Sequence, residues 1–313
     1  MAYARRSPGD AVLHADATSN YAAAIVDLSR TRQALLSVAQ PALAAVLALG
    51  TLPSAQQIVL GLVAATTGYL AVFSLNDVLD RKADAAALSS DGLGLGHADI
   101  DTVFVTHPIA RGHLPVWAAW TWVGSLSAVS AVCAWLLAPA CLALFALAVV
   151  LEAWYCSLRS VTWAKTFVSG VMVAVGGLAG WVAVARLSVG AIPVFAFLAA
   201  WEIAGRNLPN DLTDADIDGA AGIRTVATTF GPKVSARWTL VGAEVTAALA
   251  LLLPIPWPAR VLAVACVAWA MVLPGIRLTK HATRSEAGAY FNRASLLPAL
   301  VLATALFGVL IAR

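Results

Sequence analysis

The chain has 313 residues, of which 60% are hydrophobic and only 12% are charged, and its mean hydropathy is +0.82. A soluble domain is about half apolar and about a quarter charged, so this composition excludes an ordinary soluble protein. The apolar residues form long runs instead of the alternation of a membrane β-barrel, which predicts an all-α membrane protein. The formal net charge of +3 decides little by itself, and we expect no nucleic-acid partner.

Nine segments of the chain are long and apolar enough to be transmembrane helices, which need about 20 residues each. They lie at residues 33–51, 57–76, 115–137, 139–157, 166–185, 191–209, 235–253, 258–278 and 293–312. Adjacent helices are separated by Pro139 and by the stretch between Pro254 and Pro258, where the links are shortest. We therefore expect a single domain over residues 1–313, with nine helices around a central cavity.

The positive charges predict which helix ends face the cytoplasm. With the N-terminus assigned to the cytoplasm, all of the 20 Lys and Arg residues except Arg186, Arg260 and Arg313 fall on that side or at its border. The first thirty residues contain acidic side chains and no apolar core segment, so we expect no signal peptide there. The four cysteines lack C-x-x-C spacing, which predicts buried thiols rather than disulfides. Together these patterns predict a multi-pass protein of a bacterial-type cytoplasmic membrane.

Two acidic segments share the pattern N-D-x-x-D-x-x-x-D: NDVLDRKAD at residues 76–84 and NDLTDADID at residues 210–218. Both follow an even-numbered predicted helix on the cytoplasmic side. This placement suggests two pseudo-repeated four-helix halves plus a ninth helix, although transporters also contain parallel repeats. Offsets of 0, 3 and 7 residues lie at about 0°, 300° and 340° around a helix, so each segment would present three carboxylates on one face. The six are Asp77, Asp80, Asp84, Asp211, Asp214 and Asp218.

This concentration of like charge predicts a bound cation. Carboxylates at neighbouring helical positions repel each other, and the low dielectric at a membrane border strengthens the repulsion. Oxygen ligands suit Mg²⁺, which keeps several waters and is commonly shared between a few carboxylates and a substrate phosphate. The six aspartates are therefore predicted Mg²⁺ ligands that hold a diphosphate between two clusters. A hydrated helix end would explain one such segment, but the repetition disfavours that interpretation.

Basic and amide side chains near the segments are candidates for binding the diphosphate. The basic candidates are Arg81, Lys82, Arg111, Lys165 and Arg224. Asn76 and Asn210 precede matching aspartates, and Asn207 lies one turn before the second segment. Each amide could orient a carboxylate or bind a phosphate oxygen, the alternative being a helix cap. Arg30, before the first helix, could anchor in the membrane interface or reach the substrate.

An ionisable residue deep in a membrane helix is a functional candidate by default. Glu202 lies nine residues before Asp211, or about 13 Å deeper along the helix. Because it precedes Arg206 by four residues, one interpretation is an internal ion pair. The other is that Glu202 lines the acceptor pocket and helps to receive a proton. Glu152, on the fourth predicted helix, is a similar candidate.

The two acidic segments on a nine-helix chain resemble the UbiA superfamily of intramembrane prenyltransferases. The first segment matches the family's N-D-x-x-D-x-x-x-D in full, and the second continues to GIRT at residues 222–225, like the family's G-I-K/R-T. HPIARG, which begins at His107, is similar to R-P-L-x-x-G with His in place of Arg. Tyr155, Ser157 and Lys165 resemble a Tyr-Ser…Lys element. The resemblance covers nearly the whole chain, from the first helix to the ninth.

The resemblance implies Mg²⁺-dependent prenyl transfer. A prenyl diphosphate would bind with its tail in the bilayer and its head at the acidic clusters, with Tyr155 among the substrate-binding residues. Its allylic C–O bond would break, and a hydrophobic or aromatic acceptor would capture the carbocation. Two alternatives stay open: a membrane terpene cyclase, in which the chain's own double bond captures the cation, and a cation-coupled transporter. Transporter acids usually lie near the bilayer midplane, which disfavours the second.

The link between the first acidic segment and His107 is longer than the family often has. We expect an extended cytoplasmic loop over residues 85–110. It could be a tolerated surface insertion or a cap over the site.

Overall fold

In a computed structural model the chain is described over residues 21–90 and 107–311, almost entirely as helix. The longer helices of this described part, labelled in chain order, are α1 Thr31–Leu49, α2 Ala55–Ser90, α3 Val116–Leu137, α4 Pro139–Ser157, α5 Lys165–Val182, α6 beginning as Ala191–Trp201, α7 Pro232–Ala250, α8 Trp257–Lys280 and α9 Arg284–Ile311. They agree closely with the predicted segments, apart from α2, α6 and α9, which begins at Arg284, nine residues before the predicted start.

The second and sixth helices differ from the expected regular spans. The second, α2, continues through the first acidic segment to Ser90, so the link to His107 begins later than residue 85. Residues 91–106 lie outside the described residues, and the cap over the site stays a prediction. The sixth, α6, continues through a π-helical turn, Glu202–Asn207, into Leu208–Thr213.

Seven helices of the described ranges are long and apolar enough to cross a membrane. Two of the nine predicted spans, α6 and α7, are not among them, because each carries several charged residues. In α6 these include Glu202 and Arg206, and in α7 they include Lys233, Arg237 and Glu244. The fold is therefore a multi-pass helical membrane protein, and the ninefold count with its pseudo-repeat stays a prediction.

Large apolar side chains on the outer surface agree with a lipid environment. Trp117, Val150 and Leu310 are each more than half exposed. The main buried core joins α1 to the helices from α5 to α9. A smaller cluster, which includes Leu28 and Val78, packs a short helix over residues 21–28 against α2 and α3.

Glycines on α5 allow α1 and α6 to pack closely against it. A Cβ at Gly180 would collide with the Pro41 carbonyl of α1, and one at Gly177 would collide with Leu198 of α6. Small residues allow such close helix packing inside membranes. Because α1 and α6 both lie directly on α5, the first residue of α5 is held close to the second acidic segment.

An apolar cavity of about 330 Å³ lies among helices α1 to α6. Its wall is largely aliphatic and aromatic, with Tyr69, Phe73 and Phe145 among the rings. Small-molecule sites are typically cavities of about 300–1,000 Å³, so the size suits a small apolar ligand.

Candidate active site

The first acidic segment presents its carboxylates on one face of α2, as predicted. The helix is unbroken through Asp77, Asp80 and Asp84. Arg30 Nη2 lies 3.3 Å from Asp77 Oδ1, and Arg159 Nη1 lies 2.6 Å from Asp80 Oδ1. We refer to these three aspartates as the first cluster.

Asp84 is contacted from two sides. Arg159 Nη2 lies 3.9 Å from its Oδ1, and His107 Nδ1 lies 3.3 Å from its Oδ2. Within the described residues, the non-glycine residues with positive φ are Arg30, at 42°, and His107, at 52°. Such backbone conformations carry strain and concentrate at functional sites. Both strained residues contact the first cluster.

The second acidic segment is broken at Asp214, whose φ of −105° and ψ of 8° are not helical. Just before it, the Thr213 hydroxyl donates to the Asn210 carbonyl oxygen at 2.6 Å, and such bonds compete with the helical backbone. Beyond the break, the Asp218 N–H donates to the Asp214 carbonyl oxygen at 2.8 Å. The prediction of one continuous helix through this segment is therefore wrong. We call its three aspartates, at 211, 214 and 218, the second cluster.

Lys165, the first residue of α5, lies at the buried end of the second cluster. Its Nζ lies 3.7 Å from Asp211 Oδ1 and donates to Tyr155 Oη at 3.1 Å. Asn207 Nδ2 donates to the same Tyr155 oxygen at 3.1 Å. The structure therefore brings together Tyr155, Lys165 and Asn207, which the sequence proposed separately. Asp214 is contacted by Arg284, which the sequence did not single out, at 3.9 Å.

Three buried oxygens near the second cluster have no hydrogen-bond partner within the described ranges. They are Asp211 Oδ2, Asn207 Oδ1 and Asn210 Oδ1. A buried polar atom left unsatisfied costs about 1–3 kcal/mol. Mg²⁺ prefers oxygen ligands, and the water molecules bound to Mg²⁺ donate hydrogen bonds to oxygen acceptors. These residues therefore fit the predicted ion.

The described side chains do not form a closed metal centre. No three of their His, Cys, Asp or Glu groups converge as ligands of one ion. Mg²⁺ differs from Zn²⁺ in keeping several waters and needing only one or two carboxylates when a phosphate supplies the rest. The arrangement accordingly suits an ion shared with a phosphorylated ligand.

Arg159 connects the two clusters. It contacts two aspartates of the first cluster, and its charge also acts on Asp218 of the second. Burial, together with the charges of Asp211 and Asp214, raises the pKa of Asp218 to about 8, and Lys165 and Arg159 oppose that rise. The clusters therefore share one electrostatic field, in which further positive charge would favour the ionised carboxylates.

Other predicted side chains are directed elsewhere in this structure. Arg81 donates to the Val78 carbonyl of its own helix at 2.5 Å. Arg224 is exposed and donates through Nη1 to the Val161 carbonyl at 3.4 Å. Arg111 is half-buried in the turn that follows His107.

Sequence reasoning passed over Arg159. Two signals could have found it: it follows Tyr155 by four residues, and it lies in the same polar link as Lys165. The backbone N–H of Arg224 donates to the Arg159 carbonyl at 2.8 Å. The G-I-R-T segment thus holds the link that carries Arg159.

The deep acids both line the cavity but have different partners. Glu202 accepts a hydrogen bond from Ser169 Oγ at 3.1 Å and lies 3.7 Å from Arg206 Nη1, so the expected ion pair is present. Glu152 instead accepts from Asn76 Nδ2 at 2.7 Å. Asn76 is therefore directed towards the cavity wall.

Comparison with known proteins identifies the fold. The sequence model of the UbiA prenyltransferase family matches residues 37–297. No curated protein sequence matches the chain significantly.

Three solved structures with similar folds are UbiA homologs or a related synthase. An apo UbiA homolog from Aeropyrum pernix K1 has a TM-score of 0.68 and 18% identity, over 87% of this chain and 96% of that chain. A UbiA homolog from Archaeoglobus fulgidus, bound to DMAPP and Mg²⁺, has a TM-score of 0.66 and 16% identity, over 92% and 99%. A digeranylgeranylglyceryl phosphate synthase structure has a TM-score of 0.63 and 13% identity, over 92% and 98%. At these identities the likeness concerns the fold.

Proposed function

We propose that this chain, which belongs to the UbiA prenyltransferase family, transfers an isoprenyl group from an allylic prenyl diphosphate to a hydrophobic or aromatic acceptor. The observation that carries the proposal is the pair of acidic clusters beside an apolar cavity of about 330 Å³, with Arg159 in contact with the first cluster and Lys165 in contact with the second. A prenyl diphosphate has a charged head, which needs the charged clusters, and a hydrocarbon tail, which needs the apolar cavity. UbiA homologs from Archaeoglobus fulgidus are bound to DMAPP or GPP with Mg²⁺, which supports the same donor class here.

The six aspartates of the two clusters would hold Mg²⁺ together with the diphosphate. The unsatisfied oxygens of Asp211, Asn207 and Asn210 support this assignment. When bound, Mg²⁺ supplies Lewis-acid neutralisation of the charge on the departing diphosphate. Asn76, beside Asp77, is not among these ligands, because its amide donates to Glu152 Oε1 in the wall of the cavity.

The chain's own cations would bind the remaining diphosphate oxygens. Lys165 is fixed between Tyr155 and Asp211, so its ammonium is positioned before the donor binds. Arg159 forms ion pairs with Asp80 and Asp84, and the same guanidinium would bind a phosphate oxygen of the donor.

The cavity would protect the carbocation left by the departing diphosphate. Its apolar wall excludes the water that would otherwise trap the cation. The rings of Tyr69, Phe73 and Phe145 present π faces that can stabilise positive charge. The same surroundings would serve a terpene cyclase, so product identity separates the two reactions. The distribution of Lys and Arg supports a cytoplasmic site.

The test is diphosphate release by the purified protein from dimethylallyl and geranyl diphosphate, with and without Mg²⁺. We expect Mg²⁺-dependent release, and a loss of at least about 100-fold in Asp77→Ala and in Asp214→Ala, because removing one ligand disrupts charge stabilisation worth several kcal/mol. Asp216→Ala is the matched control, since that exposed aspartate lies beside the second cluster without belonging to it. Its rate should stay within about twofold of the unsubstituted protein.

Mass spectrometry of the products identifies the reaction. A prenylated product that requires an added acceptor indicates a transferase, whereas a cyclic hydrocarbon from the donor alone indicates a cyclase. Release that persists in both aspartate variants, or no release from any donor, would refute the enzymatic function and leave the transporter.

A further inference from the structure

Glu152 is a buried acid that the binding of the donor does not use. Its side chain lies on α4 in the wall of the apolar cavity, and the residue is only 3% exposed. An ionisable group inside a membrane helix is costly unless it is paired, so its retention points to a role in function.

Only one of the two Glu152 oxygens is engaged by the protein. Oε1 accepts hydrogen bonds from Asn76 Nδ2 at 2.7 Å and from Cys156 Sγ at 3.4 Å. In the part of the chain that the structure describes, Oε2 has no hydrogen bond and no cation forms an ion pair with Glu152. Because Glu152 lines the cavity, Oε2 is left to the ligand that occupies it.

Glu202, the other acid in the cavity wall, differs from Glu152 in having a cationic partner. Glu202 is paired with Arg206 and bonded by Ser169, so a cation already compensates its charge. A paired carboxylate is a weak base, because the neighbouring cation favours its ionised form. Of the two acids, Glu152 is therefore the better proton acceptor.

Glu152 also lies at the reactive end of the cavity. Its partner Asn76 immediately precedes Asp77 of the first cluster, where the diphosphate head is expected. The allylic carbon of a bound donor is next to that head, so the capture of the carbocation takes place beside Glu152. We infer that Glu152 receives the proton released when the prenyl carbocation is captured, an inference that rests on the proposed function.

Prenyl transfer with Glu152 as the proton acceptor needs no reactant besides the donor and the acceptor. The allylic C–O bond breaks, and both of its electrons leave with the diphosphate. An acceptor forms a bond to the cationic carbon and loses a proton to Glu152 Oε2, and the electrons of its broken X–H bond remain with the product. When no acceptor is present, the cation loses a C–H proton to the same oxygen, and that electron pair becomes a new C=C bond.

Product partition with geranyl diphosphate and Mg²⁺ alone tests this role. The ionised donor ends either as hydrocarbon, by proton loss to a base, or as alcohol, by capture of water. Glu152→Gln keeps the oxygen that accepts from Asn76, so it removes the base while preserving the contact. We expect the hydrocarbon-to-alcohol ratio to fall at least about tenfold in this variant. Glu152→Asp, which keeps a carboxylate, should retain a ratio closer to that of the unsubstituted protein.

The control is Glu244→Gln, which changes an exposed glutamate of α7 outside the cavity wall and should leave the ratio unchanged. The ratio is independent of how far a variant slows total turnover. Three results would overturn the inference: an unchanged ratio in Glu152→Gln, only alcohols from the unsubstituted protein, or complete loss of diphosphate release in Glu152→Gln, which would place Glu152 in ionisation instead. Absence of Mg²⁺-dependent release from the unsubstituted protein would contradict the proposed function itself.

Discussion

Arg159 is the side chain of the site whose replacement has the most directly measurable effect. It lies 2.6 Å from Asp80 and 3.9 Å from Asp84, and its charge reaches Asp218. Its charge offsets the repulsion among the carboxylates, and in the proposed function it also binds the diphosphate. A charge-assisted hydrogen bond of this kind contributes about 1.5–3 kcal/mol.

Replacing Arg159 by Gln should therefore lower kcat/KM for geranyl diphosphate by about 10- to 100-fold. Arg159→Lys should recover part of the loss, because it restores the charge without the forked geometry. The matched control is Arg237→Gln, which removes an exposed arginine of α7 and should change kcat/KM by less than about threefold. Equal effects of the two glutamine variants would contradict the role of Arg159.

The π-helical turn of α6 is the element that positions Asn207, next to the second cluster. It spans Glu202–Asn207 and ends just before Pro209. Proline has no N–H and its ring clashes with the carbonyl four residues earlier, so a regular helix cannot pass this point undisturbed. The same combination recurs in α8, where the π-helical turn Ala268–Val272 precedes Pro274. In α6 the wider turn places Asn207 against Tyr155.

Pro209→Ala should let α6 become regular, rotate Asn207 away from Tyr155 and lower kcat by about tenfold. Steady-state kinetics with geranyl diphosphate measures this effect. Pro274→Ala makes the same change in α8, away from the site, and should leave kcat within about twofold. Melting temperatures of both variants show whether loss of the buried Pro209 ring also lowers stability, so that kcat is compared between folded proteins. A similar kcat for both would show that the turn does not position the site.

The close contact between α1 and α5 depends on Gly180. Gly180→Ala adds a Cβ that collides with the Pro41 carbonyl, and overpacking of this kind costs about 1–3 kcal/mol. We expect a lower melting temperature for the purified protein. Gly124→Ala in α3 is the control, because a Cβ there meets no atom within 4 Å. A melting temperature unchanged by both substitutions would mean that α1 and α5 can separate without cost.

Across the whole molecule, sequence reasoning succeeded where a property repeats at regular spacing. Apolar runs predicted most helices within a few residues, although α2 ends later and α9 begins earlier than predicted, and the offsets of Asp77, Asp80 and Asp84 predicted their shared face. The break at Asp214 could not be predicted in this way, because no repeating pattern of residues marks it. The contact of Arg159 with the first cluster was also hidden, since it depends on how α4 and its following link pack against α2.

Binding of the diphosphate and Mg²⁺ should stabilise the whole fold, because in the proposed site these ligands would bridge α2 and the end of α6. A ligand present at about 100 times its Kd adds about 2.7 kcal/mol to the free energy of unfolding. We expect inorganic diphosphate and Mg²⁺ together to raise the melting temperature more than the sum of their separate effects. Asp77→Asn should abolish this synergy, and Asp216→Asn should retain it.

The central claim is that two acidic clusters form one site for one diphosphate. The most direct measurement is a double-mutant cycle on the Mg²⁺-dependent Kd of a non-hydrolysable geranyl thiodiphosphate, for Asp77→Asn, Asp214→Asn and the double variant. If both clusters hold the same ligand, each single substitution weakens binding at least about tenfold, and the double variant binds more weakly than either; any departure from the product of the two effects measures coupling through the ligand. A single substitution that leaves Kd unchanged would contradict a shared site.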